Sequence, residues 1–436
     1  MTALPTIRWI ACLVELCVSI TLWLWLRPSR RVRAAALLAS GWALPAALLA
    51  GLTSTHFGLV ASAPPLVLGT PLDLLLGRVL FGGCFSALCF SAVPMRRLYG
   101  FALAFDLAYS ALAGAGCNIR SVPIQALIVA LYFIPAQLFA RWTRDRRDLT
   151  ARAAMHIVFH ASLLLGVLPA LLVAYGGGNW NAPFNRASFL NKLYLQLLMV
   201  PAVLLISSVQ EFARRGRGTP MPDDPPQRMV TSGTYAYIAN PLQLGKFLMV
   251  AGWGLFWWNP WMVAASLLGL LYSAGVASPR EDKAMAPRFS HAWLCYRRQV
   301  RRWWPRWRPY CQSLDSSLRT KIQPYRLYLR LECEPCSQLA QWIRKRAIGL
   351  MVLPIPGLPT EEHRARIQYD PGDGSEVEHG VAALARALEH INLAWALFGW
   401  MLRLPGIAWL AQLVADSLDP QNKAVCEFPA TTVASQ

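Results

Sequence analysis

Charge is scarce in this sequence, and acid is scarcer than base. Only 15% of its 436 residues are Asp, Glu, Lys or Arg, against roughly a quarter in a typical soluble domain. Hydrophobic residues make up 55%, and the mean hydropathy is +0.35. A soluble fold cannot hide that much apolar surface, which argues against a water-soluble enzyme and for a bilayer as solvent. Asp and Glu number 23 against 42 Lys and Arg, a formal net charge of +19. Such an excess fits nucleic acid or an anionic membrane surface. The arginines cluster between apolar runs, so the membrane is the expected partner and nucleic acid is not. Little basic charge precedes the first apolar run at Ile7, so no cleavable signal peptide is expected. Internal repeats are absent. Cysteine motifs are nearly absent too: Cys12, Cys17, Cys84 and Cys89 read as small buried hydrophobes inside apolar runs, and only Cys333 and Cys336 are spaced as a pair. Cys311, Cys426 and His363 lack ligand spacing, so no metal site is expected.

What is present is a series of apolar runs long enough to cross a bilayer, which takes about 20 residues each. They fall at 7–26, 34–52, 74–94, 98–114, 121–140, 153–175, 189–210, 241–257 and 261–278. The expected fold class is therefore mainly α, a polytopic membrane protein of about nine transmembrane helices. Trp258-Asn259-Pro260 is the turn of a helical hairpin. Arg27, Arg30, Arg31 and Arg33 follow the first run, Arg96 and Arg97 the third, Arg141 to Arg152 the fifth, and Arg214, Arg215 and Arg217 the seventh. The alternate loops are nearly free of Lys and Arg. By the positive-inside rule the N-terminus lies outside, and segments 211–240 and 279–436 are cytosolic. An integral location in a bacterial inner membrane is expected. Asp73, Arg78 and Asp106 are charges in or beside spans; Asp73 and Arg78 are placed to neutralise each other. His156 and His160 share one helical face, where hydrogen-bonded intramembrane histidines are favoured over a metal or haem pair.

From Arg280 the chain changes character. Segment 280–325 is basic and rich in Trp and Pro, and the Trp and Arg cluster at 301–308 suits anionic head groups. Segment 326–416 reads as a compact α/β unit: a strand in YRLYLRL, a helix in CSQLAQWIRKRAIG, a strand in LMVLPI, a hairpin turning at Asp370-Pro371-Gly372-Asp373-Gly374, and a helix in VAALARALEHI. Segment 393–415 is apolar but broken at Arg403 and Pro405, a buried or interfacial helical hairpin rather than a tenth span. The expected domains are 1–188, N-terminal helices without an assigned role; 189–310, the core; 311–325, a linker; 326–416, the α/β domain; and 417–436, a disordered tail.

Segment 218–245 carries chemistry. Four prolines between Pro220 and Pro226 keep the chain extended, Gly233 allows a turn, and Asn240-Pro241 signals a helix start with Asn as N-cap. A helix N-terminus at the membrane surface presents unpaired N–H groups to a carboxylate. Glu281 and Asp282 head the second segment and bring negative charge. Together the segments resemble the isoprenylcysteine carboxyl methyltransferase and phospholipid methyltransferase superfamily over about residues 195–310. Gly233, Tyr235, Tyr237, Asn240, Pro241 and Gly245 match the first motif. Glu281, Asp282, Met285, Phe289, Ser290, Trp293, Tyr296, Val300 and Pro305 match or conservatively replace the second. The family's Arg before Asn-Pro is Ala239 here, and its Tyr after it is Gln243; Arg280 or Arg288 could compensate. The resemblance implies S-adenosylmethionine as cofactor, held by Gly233, Tyr235, Tyr237, Asn240, Pro241, Leu244, Gly245, Glu281 and Asp282. It implies Asn240 and Glu281 as catalytic residues, and membrane lipids and a lipophilic methyl acceptor as partners.

Cys333-Glu334-Pro335-Cys336 lies between a strand and a helix, where a helix N-terminus favours the thiolate. In a cytosolic domain this reads as redox chemistry or metal binding. Segment 325–416 resembles the DCC-type thiol-disulfide oxidoreductases, small thioredoxin-like domains, through the Cys pair, the YDPGDGSEVEHG hairpin and Gly380-Val381-Ala382-Ala383-Leu384. The family's Asp-Gly is Arg330-Leu331 here. The resemblance implies Cys333 and Cys336 as catalytic thiols and a redox partner protein. The expected function is methyl transfer at the cytosolic face with an appended redox domain. The alternatives are a membrane-anchored oxidoreductase with a vestigial methyltransferase fold, and a non-catalytic scaffold or transporter.

Overall fold

The computed structural model describes residues 3–56, 65–112, 122–177, 179–185, 188–219, 221, 224–311, 325–331, 334–355 and 367–417. The expected linker after residue 311, the tail after residue 417 and Cys333 lie outside them. The chain is mainly helical and packs as two compact units. One gathers Met1–Ala187, Gly218–Pro225 and Trp253–Ala264; the other gathers Ser188–Arg217, Pro226–Gly252 and Ala265–Gln436.

The first unit is built from α1 (Ala3–Leu26), α2 (Arg30–His56), a short hairpin of β1 (Leu66–Val67) and β2 (Thr70–Pro71), α3 (Leu72–Leu80), α4 (Ser86–Cys89), α5 (Met95–Leu112), α6 (Val122–Asp145), α7 (Leu149–Ala161) and α8 (Leu168–Tyr175). Helices α2 and α6 press together through alanines: Ala35 and Ala39 meet Ala136 and Ala140. Small side chains let backbones approach where no water drives association. A π-helical turn, Phe81–Phe85, joins α3 to α4 and is broken at Gly83 (φ −107°, ψ −113°). The freed backbone groups find side chains, as they must in a bilayer. The Cys84 N–H donates to Ser40 Oγ at 2.8 Å, and Gln137 Nε2 donates to the Gly82 carbonyl at 2.7 Å.

The buried charges of this unit pair differently from the sequence expectation. Asp73 is taken by Arg8 at 2.8 Å, and Arg78 grips Asp106 through two bonds of 2.7 and 3.1 Å. Asp73 and Arg78 stand five residues apart in α3, a spacing that sends side chains to different helix faces. His160 contacts the His156 carbonyl through Nδ1 at 2.7 Å, and the His156 ring packs edge-on against Phe139. Among the described residues no group of three metal-binding side chains occurs.

Helices α9 (Ser188–Gly216), α10 (Pro241–Phe256), α11 (Pro260–Tyr272) and α12 (Ser278–Gln299) follow. The hairpin turn at 258–260 forms as expected, with Asn259 Oδ1 accepting from the Met262 N–H at 3.1 Å. Among the described residues seven helices are long and apolar enough to cross a membrane, or eight if one bent pair is a single span. Two of the nine expected spans are thus helices that fall short of that measure. Helix α5 carries Arg96, Arg97 and Asp106, and α10 has only 16 residues. The last long helix runs on to Gln299, with a break at Ser290 (φ 46°, ψ −126°).

The C-terminal part of the second unit is a four-stranded sheet in the order β4-β3-β5-β6, made of β3 (Tyr325–Leu329), β4 (Leu350–Pro354), β5 (Ile367–Asp370) and β6 (Glu378–His379). β3 and β4 are parallel, which demands a crossover, supplied by α13 (Glu334–Arg344). The other pairs are antiparallel. Alternation along β3 sends Leu327 and Leu329 inward against Ala340 and Ile343 of α13 and Ala383 and Ala387 of α14 (Gly380–Leu388). In the β5–β6 turn, Asp370 accepts from the Gly372 N–H and Asp373 from the Ser375 N–H, both at 2.8 Å, while Gly372 and Gly374 take positive φ. The closing apolar segment forms α15 (Leu393–Leu402) and α16 (Pro405–Ser417), bent 86° apart at Arg403-Leu404.

His390 is buried behind this sheet, with Nδ1 on the Ile348 carbonyl at 3.1 Å and Nε2 on the Tyr369 hydroxyl at 3.0 Å. Burial is the main cause, and Arg386 a further one, that lowers its pKa from 6.5 to about 4. The unfolded chain therefore takes up a proton before the folded one does. Stability should be intact above about pH 6.5 and fall by up to about 3 kcal/mol as pH drops to about 4. Denaturant titrations of the full chain across that range check this; a flat profile in wild type contradicts it.

Candidate functional site

The loop before α10 is held by the segment that follows α12. The Ala239 N–H donates to the Arg301 carbonyl at 2.9 Å and the Asn240 N–H to the Arg302 carbonyl at 3.3 Å. Further along, the Arg306 N–H donates to the Tyr237 carbonyl and the Tyr310 N–H to the Ala236 carbonyl. The Tyr296 hydroxyl donates to the Tyr235 carbonyl at 2.8 Å. The two motif segments, separated in sequence by α10 and α11, thus run side by side.

The predicted residues divide by what they touch. Gly233 has φ +59°, and a Cβ there would lie 2.8 Å from the Glu211 carboxyl carbon, so only glycine fits. Tyr235 and Tyr237 are buried. The Tyr237 hydroxyl donates to the Glu389 carbonyl at 2.8 Å, and its ring packs edge-on to Trp400. Tyr237 therefore belongs to the core. Gly245 lets α10 lie against α9, where a Cβ would meet Leu205 Cγ at 2.9 Å. Pro241 opens α10 and Asn240 holds its N-cap position, half-buried like Leu244, as the sequence implies. Asn240, Leu244, Glu281 and Asp282 are the predicted site residues that keep some exposure.

Asp282 meets Arg302 at 2.6 Å and lies 3.8 Å from Arg297. Glu281, exposed beside it, lies within electrostatic reach of Arg302, Arg297, Tyr235 and Tyr296. Arg302 Nη1 and Asp282 Oδ1 are both buried without a hydrogen-bond partner. A donor and an acceptor left open in one place are what a ligand bearing both charges would fill. Arg302 escaped the sequence reading, which looked to Arg280 and Arg288 to offset Ala239. Both of those are exposed, whereas Arg302 pairs through its backbone with Asn240, next to Ala239. A strand-like pairing between distant segments leaves no local signal in sequence.

Beneath the loop lies a buried ion cluster of three arginines and three glutamates, edged by the half-exposed Asp373 at 3.6 Å from Arg215. Arg386 reaches Glu211 at 2.8 Å, Glu378 at 2.9 Å and Glu389 at 3.0 Å. Arg403 reaches Glu389 at 2.9 Å and Glu211 at 3.5 Å, and Arg215 reaches Glu378 at 3.1 Å. Burial alone would raise the Glu378 carboxyl, but Arg386, Arg403 and Arg215 bring it down to about 2. Ser232, the residue before Gly233, donates to the Glu211 carboxylate. Val203 and Leu204 of α9, Ala236 to Ile238 of the loop and Ala396 and Trp400 of α15 form one apolar cluster beside it. Of the predicted thiols, Cys336 is buried in the first turn of α13.

Residues 194–292 match the phospholipid methyltransferase family. That stretch runs from α9 into α12 and includes the loop, both helices of the hairpin and the Glu281-Asp282 pair. It supports a membrane methyltransferase-type function for this region. No curated protein and no solved structure matches the chain.

Removing one guanidinium from the cluster strands carboxylates in a dry interior. Arg386→Met should cost roughly 3–5 kcal/mol and lower the melting temperature of the detergent-solubilised protein. An unchanged melting temperature would show that Arg386 is not buried among these carboxylates.

Proposed function

We propose that the second unit is an S-adenosylmethionine-dependent methyltransferase acting on a lipophilic acceptor at the cytosolic membrane face. The observation that carries this reading is the pairing of the two motif segments around Arg302 and Asp282, whose open donor and acceptor atoms suit the amino-acid end of that cofactor. Arg302 Nη1 would take its carboxylate and Asp282 Oδ1 its ammonium. When bound, the cofactor supplies an electrophilic methyl group on a sulfonium. Glu281 places a carboxylate at the same edge to balance that cation, and Asn240 orients the ligand from the start of α10. Tyr235, Tyr237, Gly233 and Gly245 hold the loop and helix in position rather than touching ligand. The chain's contribution is positioning and electrostatics. An acceptor dissolved in the bilayer would reach the site laterally.

The β3–α13–β4 arrangement, with Cys336 in the first turn of α13, favours a second reading for the C-terminal domain: a thioredoxin-like unit of DCC type. In it Cys333 is the attacking thiolate, Cys336 resolves the mixed disulfide, and a redox protein is the partner. Cys333→Ser should abolish alkylation at mildly acidic pH; a Cys333 that titrates like a free thiol, near pKa 8.5, leaves the domain a docking module.

Calorimetry of S-adenosylmethionine against the purified protein in detergent tests the first reading. Asn240→Ala and Glu281→Ala should each weaken binding roughly 10- to 100-fold, the cost of a charged group left without its partner. No binding to wild type at millimolar cofactor would overturn it.

A further inference from the structure

The first unit holds a buried acid that nothing in the methyltransferase site uses. Along α1, Arg8, Cys12, Glu15 and Ser19 are each at least nine-tenths buried, while Ile7, Ile10, Leu13, Val14, Leu16 and Ile20 are exposed. Spacings of four, three and four residues place these four side chains on one helix face, a polar stripe about 16 Å long. The helix is otherwise suited to lipid. Arg8 is ion-paired with Asp73 at 2.8 Å, although its Nη1 is buried without a hydrogen-bond partner, and Cys12 Sγ meets the Tyr109 hydroxyl at 2.8 Å and the Asp73 carbonyl at 3.2 Å. Ser19 lies against Cys84 of the broken π-helical turn. Glu15 has neither a hydrogen bond nor an ion pair among the described residues, and its Oε2 is fully enclosed; Ser19 Oγ, one turn on, is likewise buried without a hydrogen-bond partner.

Charge makes this more pointed. Apart from the separate Arg152–Asp224 pair, the buried charges of the unit set Arg8 and Arg78 against Asp73, Asp106 and Glu15, and both arginines are already paired with the aspartates. An ionised Glu15 would be an uncompensated anion in a medium that does not tolerate one. The groups that face this region from each packed element do not repair that. They are Cys12 on α1, Asp73 and Arg78 on α3, Cys84 at the π-helical turn, Asp106 and Tyr109 on α5, and Tyr132 on α6. No cation among them is free. Tyr132 lies within electrostatic reach of Glu15, and its hydroxyl is likewise buried without a partner. No three metal-binding side chains gather among the described residues, and a thiol, a phenol and a lone carboxyl suit a proton rather than a metal ion.

We propose that Glu15 is a proton-binding site within the membrane, protonated at neutral pH and exchanging its proton with water along the polar stripe of α1. The proton sits on the carboxyl as a neutral acid, can donate toward the orphaned acceptors nearby, and leaves as hydronium when the stripe opens to solvent. The helix broken at Gly83 beside Ser19 is the natural place for that opening, since its backbone bonds already depend on side chains. The first unit then becomes a proton-handling module instead of a passive anchor.

Infrared spectroscopy of the full chain in detergent tests this at neutral pH. Wild type should show a carbonyl band of a buried neutral carboxylic acid. Isotopic labelling of glutamate should shift that band, D2O should shift it within minutes, and Glu15→Gln should remove it while leaving the melting temperature close to that of the parent. Absence of the band, its persistence in Glu15→Gln, or its failure to respond to glutamate labelling would overturn the assignment. A band that ignores D2O for hours would overturn the exchange. Should the glutamine variant fail to fold, Glu15→Asp makes the same assignment: its band should no longer respond to glutamate labelling, and a band that still responds would belong to another glutamate and overturn the proposal. Cofactor binding plays no part in these measurements, and their outcome is independent of the methyltransferase reading.

Discussion

A single buried carboxylate organises the second unit. Glu211 stands one turn from the end of α9 with three guanidiniums around it, and a charge so placed dictates what its surroundings can be. Burying it without partners would be prohibitive. It therefore requires Arg386 from α14 and Arg403 from the α15–α16 bend, and those in turn require Glu378 and Glu389. Breaking one member is costly, although such a cluster need not outperform a well-packed apolar core. What it does is tie α9, α14 and the α15–α16 bend together through charges that each element alone would leave unpaired. The same carboxylate accepts from Ser232 and leaves room for nothing larger than glycine at position 233. The conformation of the motif loop thus depends on Arg386 and Arg403, which lie more than 150 positions beyond Gly233 along the chain.

This places the C-terminal domain in a new light. Tyr237, in the middle of the motif, gives its hydroxyl to the Glu389 carbonyl and its ring to Trp400. The loop is thus sandwiched between the segment after α12, which supplies Arg302, and the closing helices. The α/β domain with its apolar hairpin serves as the floor of the proposed site, whether or not its thiols react.

Much of this was legible in the sequence, for physical reasons that differ by region. Leu327 and Leu329 alternate because a strand has two faces, and the Asp-Pro-Gly-Asp-Gly run declares its turn by residue type. The break at Arg403-Leu404-Pro405 and the start of α10 at Asn240-Pro241 are likewise local chemistry. The pairing of charges was not legible, because Arg8 with Asp73, Arg78 with Asp106 and Glu211 with Arg386 join helices whose facing is set by packing. For the same reason the pairing of Arg302 with Asp282 and with the Asn240 backbone was hidden, as was the packing of Tyr237 against Trp400. A hydropathy run does not report that α10 stops at 16 residues or that α5 keeps three charges, so these two helices differ from the other expected spans in ways the sequence pattern alone did not show.

The most direct measurement is transfer itself. Proteoliposomes of the full chain, incubated with S-adenosylmethionine labelled in its methyl carbon, should move label into the organic-soluble lipid fraction, while the Arg302→Met protein should leave it in the aqueous phase. Label that stays aqueous with well-folded wild type across membranes of varied lipid composition, although the cofactor binds, would contradict a lipophilic acceptor. Label that enters lipid equally with Arg302→Met would contradict the site.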